Sequence, residues 1–256
     1  MKIRYIIGAL ILTMILGNGC ARLKPTMAHV HIGHALTGWY DTPGKEGLFV
    51  VSEKKAREAL TLAELATQEK KDMPGIKLLI NQVIKVTNAK QIPDSKQKQY
   101  GVKQALAGAV DHITFAAESE DASQNVKAFA MQFQQDVRAV FDRCDLITAL
   151  GNDIKKSTSK KEVSLLAEEV KSLVKANMFG EDSNGDGVPG NSPREYGLLQ
   201  LRHRIKKMLD REDPPYTTVS SWYLFNIIRL PDGRWIFRNR FEDKDDVYAG
   251  GGGGGY

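Results

Sequence analysis

Apolar residues recur every three or four positions along most of residues 27–147, which is the period of helices with one buried face. Turn-forming residues near 41–44, 72–75, 93 and 120–121 interrupt the pattern. The apolar stripes comprise Ala56, Leu60, Ala63 and Ala66; Ile76, Leu79, Ile80 and Val83; Val102, Leu106, Ala109, Val110 and Ile113; and Val126, Phe129, Ala130, Phe133, Val137, Val140 and Phe141. Each stripe is wide enough to pack against others, so the pattern predicts a helical bundle.

Two capping-box patterns predict further helices. Ser159 and Glu162 stand three residues apart at the start of an apolar helical pattern that ends near Gly180. Ser192 and Glu195 repeat this spacing, with proline at the first helical position, before the apolar positions of a last helix. We therefore expect a helix, a loop and a second helix in this part of the chain.

A β-hairpin is predicted after the last helix. Residues 217–230 and 234–241 are rich in β-branched and aromatic side chains, and a Pro-Asp-Gly turn separates them. A lone hairpin is marginally stable in water, so we expect one face to rest on the helices and the other to bind a protein partner. The alternative is that the helices bury both faces. The residues expected to contact a partner are Trp222, Phe225, Trp235, Phe237 and Tyr256.

The first residues have the organisation of a bacterial export signal. Lys2 and Arg4 precede an apolar run over residues 5–16, which is shorter than the roughly 20 residues needed to span a bilayer. Gly19 and Cys20 then resemble the end of the lipobox of bacterial lipoproteins, although the two positions before them depart from that pattern. The resemblance implies export to the periplasm or outer membrane and a lipid anchor at Cys20. Ordinary signal cleavage is the alternative.

The composition narrows the classes of function. The 36 basic residues exceed the 31 acidic ones only slightly, and no basic block is interleaved with aromatic residues, so a nucleic-acid partner is not expected. Besides Cys20, Cys144 is the one other cysteine, and it lies on an apolar helical stripe, where a small buried side chain is expected. No nucleophile elbow, phosphate-binding glycine loop, HExxH motif or pair of catalytic carboxylates is present. These observations favour a non-enzymatic protein.

The most specific motif is a D-x-N-x-D-G sequence between the two helices predicted by the capping boxes. It consists of Asp182, Asn184, Asp186 and Gly187, and it resembles the calcium loops of EF-hand and dockerin-type proteins. Alternate residues of a tight loop can aim oxygens at one point, and Ca²⁺ takes about six to eight oxygen ligands. The resemblance implies side-chain ligands from the two aspartates and the asparagine, and a backbone ligand from Val188.

The loop departs from the EF-hand pattern at its last ligand. Pro193 stands where the bidentate glutamate is expected, and Glu195 follows two residues later. Glu195 also belongs to the predicted capping box with Ser192. It is therefore expected to bind calcium, to cap the helix, or to cap the helix only when calcium is absent. The alternative is an Asp/Gly-rich turn that binds no metal.

Three of the five histidines are crowded shortly after Cys20. On a helix, His31 and His34 share a face and His29 points away, whereas in an extended segment His29 and His31 share a face. Imidazoles paired in either way can bind Zn²⁺, Cu²⁺ or Ni²⁺, and a bundle can add His112 from a later helix. The alternative is that these rings only fill a helix interface.

These patterns predict a mainly α-helical protein: a helical bundle with a helix–calcium-loop–helix unit and a C-terminal β-hairpin. The predicted segments are a signal peptide (1–19), a histidine-containing helical bundle (20–151), the helix–loop–helix unit (152–213), the hairpin (214–248) and a glycine-rich tail (249–256). Histidines followed by a D-x-N-x-D-G loop resemble uncharacterised exported bacterial helical-bundle proteins, which implies no particular activity.

The leading functional hypothesis is an exported, lipid-anchored calcium-binding protein that acts as a structural or partner-binding accessory subunit. The alternative is a periplasmic protein that binds Zn²⁺, Cu²⁺ or Ni²⁺ through the N-terminal histidines. An enzyme with a histidine-bound metal is a third hypothesis.

Overall fold

The chain folds mainly into α-helices, which confirms the predicted fold class at this level. The computed structural model describes residues 20–68, 72–89, 98–217, 221–224, 227–229 and 235–237, with the strands described by their backbone alone. The α-helices are α1 (Met27–Leu36), α2 (Leu48–Ala66), α3 (Met73–Thr87), α4 (Val102–Glu118), α5 (Gln124–Asp136), α6 (Arg138–Lys156), α7 (Lys160–Phe179) and α8 (Leu198–Asp210). In the described part of the chain, no helix is both long enough and apolar enough to cross a bilayer.

The helices pack around two groups of buried apolar side chains. The first group lies between helices α1, α4, α5 and α8, together with the N-terminal half of α2 and the start of α6. It includes Phe49 and Phe133. The second lies between the rest of α2, α3, the rest of α6, and α7, and it includes Ile80 and Ile147. All four side chains are at most 1% exposed. Helices α2 and α6 contribute to both groups, so burial of apolar surface joins the two halves of the bundle.

Short polar side chains begin several helices, as expected for N-caps. Thr26, Asp72, Ser123 and Ser159 each accept the backbone N–H three residues further on, at the starts of α1, α3, α5 and α7. Ser159 is therefore confirmed as the N-cap of α7, but the reciprocal contact of the predicted capping box is absent, because Glu162 accepts the hydroxyl of Ser157 and the N–H of Ser159 donates to that same hydroxyl. Helix α7 ends at Gly180, whose φ of 81° suits a glycine better than any other residue.

The second predicted capping box does not begin a helix. Helix α8 begins at Leu198, after Gly197, whose N–H donates to Oε1 of Gln200 at 3.0 Å. The prediction of a helix starting at Pro193 was wrong, because the carboxylate of Glu195 is turned toward backbone N–H groups of the preceding loop. A turn connects that loop to α8 instead.

Short strands lie at the two ends of the described chain: β1 (Cys20–Leu23), β2 (Ser221–Leu224), β3 (Ile227–Arg229) and β4 (Trp235–Phe237). Their backbones pair antiparallel in the order β1-β2-β3-β4, with Cys20 opposite Leu224 and Ile227 opposite Phe237. The predicted hairpin stays a prediction, because its turn lies in residues 230–234, outside the described residues. The predicted signal peptide, the glycine-rich tail, Phe225 and Tyr256 also lie outside them.

Candidate metal centre

Helices α1 and α4 bring three histidines together. Helix α1 packs mainly against α4, and its Ile32 and Ala35 are buried in the first apolar group. This orientation places His31 and His34, which are one turn apart, against His112 of α4. The pairing of His31 with His34 on one face is the helical arrangement that the sequence analysis considered.

The spacing of the three rings is close to that of metal ligands and needs only small side-chain movements to reach it. Each residue offers one ring nitrogen, and these nitrogens all lie within 4.8 Å of one another. Nδ1 of His31 is 3.4 Å from Nδ1 of His112. Tetrahedral nitrogen ligands at about 2.0–2.1 Å from an ion are about 3.3 Å apart, close to that distance. Nδ1 of His34 is buried and has no hydrogen-bond partner, so this nitrogen is available for a ligand.

The electrostatic surroundings keep two of these rings neutral. Burial, and then the charges that His34 and His31 would carry, lower the pKa of His112 from 6.5 to about 4, against an opposing effect of Asp41. Burial, and then His31, also lower the pKa of His34. A neutral imidazole presents the lone pair that a metal requires, so both rings can act as ligands at pH 7.

Aromatic side chains surround the three histidines. The ring of Trp39 is centred 4.6 Å from that of His34 and 4.5 Å from that of His112. Phe115 of α4 lies 5.7 Å from both His31 and His112. Trp39, which follows α1 in the connection to α2, was not predicted from the sequence, because only the folded chain returns that connection to the histidines.

A hydrogen-bonded pair supports the connection that carries Trp39. The hydroxyl of Tyr100 donates to Oδ1 of Asp41 at 2.6 Å, and Trp39 also hydrogen-bonds to Tyr100. Burial, and then Asp41, raise the pKa of Tyr100, so its phenol remains protonated and continues to donate. Asp41 is not a member of the closely spaced group that the three histidines form.

His29 lies apart from the other predicted histidine ligands. Its Nε2 is 3.3 Å from Oε2 of Glu212, and its Nδ1 accepts the backbone N–H of Thr217 at 3.4 Å. Both ring nitrogens therefore contact the segment that follows α8. The structure brings His31, His34 and His112 together and places His29 in a different network.

Glu212 is the centre of that network and is 1% exposed. Ser123 donates its hydroxyl to Oε1 at 2.7 Å, and the amide of Asn125 donates to the same oxygen. Burial raises the pKa of Glu212, but hydrogen bonds from His29, Asn125 and Ser123 outweigh it and hold the pKa below its ordinary value. A charged carboxylate thus joins α1, the start of α5 and the end of α8.

The predicted calcium loop is folded around its own carboxylates. Asp182 accepts the backbone N–H groups of Asp186 at 3.0 Å and Gly187 at 2.8 Å. Oδ1 of Asn184 accepts the N–H of Asp186 at 2.9 Å, and Oδ1 of Asp186 accepts that of Val188 at 2.9 Å. The φ of 83° at Gly187 provides the sharp turn. Alternate side chains therefore face the interior of the loop.

Glu195 closes the loop from its far end and is fully buried. Its Oε1 accepts the backbone N–H groups of Ser183 at 3.1 Å and Asn184 at 3.0 Å, and the side chain and backbone of Ser192 also hydrogen-bond to the carboxylate. Burial raises the pKa of Glu195, but the N–H of Asn184 and the hydroxyl of Ser183 outweigh it and lower the pKa. Its oxygens do not form, with those of Asp182 and Asp186, a group as closely spaced as the three histidines.

Arg143 of α6 holds the two ends of this loop. It donates to Oε1 of Glu181 at 2.9 Å and to the backbone carbonyl of Tyr196, and its Nε donates to Oδ1 of Asn177 at 3.0 Å. The role of this arginine was not predicted from the sequence, since it stands in an apolar helical pattern and its partners are distant in sequence. The loop is therefore anchored to the bundle rather than free.

Of the remaining predicted residues, the structure describes the side chain of Cys144 and only the backbone of four others. Cys144 is fully buried, which confirms the expectation of a core side chain, and burial raises the pKa of its thiol to about 12. Cys20, Trp222, Trp235 and Phe237 lie in strands described by their backbone alone. Their roles in lipidation and partner binding stay predictions.

No protein-family model, curated protein or solved structure matches the chain. Function is therefore inferred from the chemistry of the histidine group and the loop.

Proposed function

We propose that this chain is an exported protein that binds a transition-metal ion through His31, His34 and His112. The observation that carries this proposal is the convergence of three ring nitrogens, from two helices, within 4.8 Å of one another. Three imidazoles suit zinc, copper and nickel ions, and a neutral partly buried site favours ligation over protonation. Holding or carrying such an ion requires no further catalytic group.

Three protein ligands leave a coordination position for another donor. In zinc proteins such an open position takes water or an exogenous ligand. His31 and His34 are each partly exposed, so a small donor or a donor from another protein can reach the ion. This arrangement supports reversible binding, as expected of a metal buffer or carrier.

Export and lipidation at Cys20 belong to the same proposal and rest on the first 20 residues of the sequence. The predicted hairpin and its aromatic residues remain the proposed contact with a protein partner. A lipid-anchored metal-binding protein would then act at the membrane surface, next to the proteins that supply or receive its ion.

The test is metal titration of the purified full chain by competition with a chromophoric chelator. The wild-type protein should bind one ion at the histidine site, and His31→Ala with His112→Ala should remove that binding. His203→Ala is the matched control, because His203 is exposed on α8 and lies outside the group. Equal metal uptake by the double variant and the control would disprove the site.

A second candidate function is calcium binding at residues 182–195. The observation that favours it is the fully buried carboxylate of Glu195, which accepts backbone N–H groups of the loop and stands at the end of a segment that carries two further carboxylates. A buried carboxylate is costly to keep charged, and a bound cation would offset that cost. Asp182, Asn184 and Asp186 would provide further oxygens.

A further inference from the structure

A groove of about 230 Å³ lies between α5 and α8, and none of the three clustered histidines lines it. Pockets for drug-sized ligands measure about 300–1,000 Å³, so this groove suits a smaller group. Helix α5 and the C-terminal part of α8 each contribute half of the lining: Asn125, Ala128, Phe129 and Gln132 on one side, and Arg204, Lys207, Met208 and Arg211 on the other.

The lining of this groove carries positive charge and no carboxylate. Arg204, Lys207 and Arg211 follow one another at spacings of three and four residues, so their side chains share one face of α8. The facing helix offers them no acidic partner, because α5 contains no aspartate or glutamate before Asp136. Lys207 and Arg211 are exposed, and neither forms an ion pair within the described part of the chain.

Two carboxylates lie beside the groove, and both already have partners. Asp136 is fully buried, forms an ion pair with Nε of Arg204, and accepts the amide of Gln132 at 3.1 Å. Glu212 is buried and accepts the amide of Asn125. Neither carboxylate neutralises the two exposed cations of the groove.

We infer that this groove binds a phosphate group, carried either by a lipid headgroup or by a small soluble molecule. Lysine binds phosphate as a point charge, and arginine binds it through paired N–H groups. Lys207 and Arg211 are one helical turn apart, so both can approach the same anion. Phe129 and Met208 supply apolar surface for the carbon atoms next to the phosphate.

The groove lies near the end of the bundle from which the chain leads to Cys20. Asn125 in its lining is hydrogen-bonded to Glu212, and Glu212 also contacts His29 near the start of α1. Strand β1, which begins at Cys20, directly precedes α1. A headgroup source would therefore agree with the proposed lipid anchor, whereas a soluble source needs no anchor. In either case the site goes beyond the proposed metal binding.

A purely structural role for these cations makes a different prediction. Lys207 and Arg211 stand at the C-terminal end of α8, where positive charge stabilises a helix by compensating its dipole. That role accounts for their position but predicts no affinity for phosphate. A binding measurement therefore separates the two roles.

The experiment measures two kinds of binding with the purified full chain. Titration calorimetry follows binding of glycerol phosphate, with glycerol as the neutral comparison. Flotation follows binding to vesicles of equal parts phosphatidylglycerol and phosphatidylcholine, compared with phosphatidylcholine alone, and Cys20→Ser removes any lipid anchor from these samples. Lys207→Gln with Arg211→Gln should weaken binding of the phosphate probe by at least about tenfold, because both cations of the site are lost.

Lys160→Gln with Lys161→Gln is the matched control, because it removes the same charge from exposed positions at the start of α7. It should bind phosphate as the wild type does. Lys207→Arg with Arg211→Lys keeps the charge and should keep the binding. The His31→Ala, His112→Ala variant should also bind phosphate normally, so failure of the metal site and failure of this site are distinguishable.

The source of the phosphate follows from which probe depends on Lys207 and Arg211. Dependence for the vesicles alone would identify a lipid headgroup, and dependence for glycerol phosphate would identify a soluble compound. No preference for either phosphate probe over its neutral comparison, or an equal loss in the two glutamine double variants, would overturn the inference. Thermal unfolding shows whether each variant is folded, and the single variants Lys207→Gln and Arg211→Gln should each show an intermediate loss.

Discussion

At the scale of single residues, the neighbouring histidines of α1 have different surroundings. His31 meets His112, whereas His29 meets Glu212 and Thr217. The difference follows from helical geometry, because residues two apart on a helix point to different sides. One side of the helix is available to a metal, and the other attaches the segment that leads to the predicted hairpin.

The buried carboxylate of Glu212 should make stability depend on pH. Its pKa is lower in the folded chain than its ordinary 4.5, so the folded state binds its proton less readily than the unfolded state. Its stabilisation is therefore complete above about pH 4.5 and is lost as the pH falls through the folded value. Glu212→Gln should lower the free energy of unfolding at pH 7 by about 1–3 kcal/mol and make the acid limb shallower.

Urea unfolding of the metal-free protein between pH 7 and pH 3 would measure both effects. Glu118→Gln is the control, since Glu118 is exposed on α4. If Glu212→Gln and Glu118→Gln both lose stability with acid as steeply as the wild type does, the buried carboxylate of Glu212 does not contribute to the pH dependence of stability.

At the scale of structural elements, the loop between α7 and α8 is built for rigidity. Asp182 and Glu195 bind its backbone from inside, and Arg143 binds Glu181 and Tyr196 at its two ends. A loop whose carboxylates are already positioned loses little conformational freedom when an ion binds. This organisation suits a calcium site better than a mobile connection would.

Calcium should therefore raise the thermal stability of the wild-type protein. The gain is RT ln(1 + [Ca²⁺]/Kd), or about 2.7 kcal/mol at a hundredfold excess over Kd, if only the folded state binds. Asp182→Ala with Asp186→Ala should abolish the gain, since each substitution removes a ligand and a charge. Asp142→Ala with Asp153→Ala removes the same charge from exposed positions on α6 and should preserve it. A calcium response that is equal in both double variants would exclude the loop.

At the scale of the whole molecule, the described ends of the chain come together. Strand β1 begins at Cys20 and pairs with β2, which follows the last helix. A lipid anchor at Cys20 would therefore place the predicted partner-binding segment close to the membrane. The two apolar groups of the bundle share α2 and α6, so the histidine group and the loop belong to one connected set of helices.

The predicted anchor can be tested in cells. A radioactive fatty acid should label the wild-type protein, and Cys20→Ser should abolish the label. Cys144→Ala should remain labelled, because Cys144 is buried in the bundle. An unlabelled wild type of mature size would show export without lipidation.

Sequence could predict the helices and the pairing of His31 with His34, because both depend on local period. It named His112 as a candidate ligand from a later helix, but whether His112 joins the group depends on how α4 packs against α1, which local period does not determine. Glu195 shows a different difficulty: its spacing from Ser192 predicts a helix cap, but its carboxylate contacts both Ser192 and the backbone of Ser183 and Asn184, and no helix begins there. Arg143 was missed because its partners lie far along the chain, and Trp39 because the path of the connection after α1 is not set by local period.

Metal binding should also change how readily helix α1 opens locally. Ten residues are too few for a stable isolated helix, so α1 depends on Asp121, which accepts the N–H groups of Met27 and Ala28, and on Glu212. An ion shared with His112 adds a third attachment. Amide hydrogen exchange in α1 should therefore slow when Zn²⁺ or Cu²⁺ binds, while exchange in α7, which carries none of the three histidines, stays the same. Unchanged exchange in α1 at saturating metal would mean that the ion binds elsewhere.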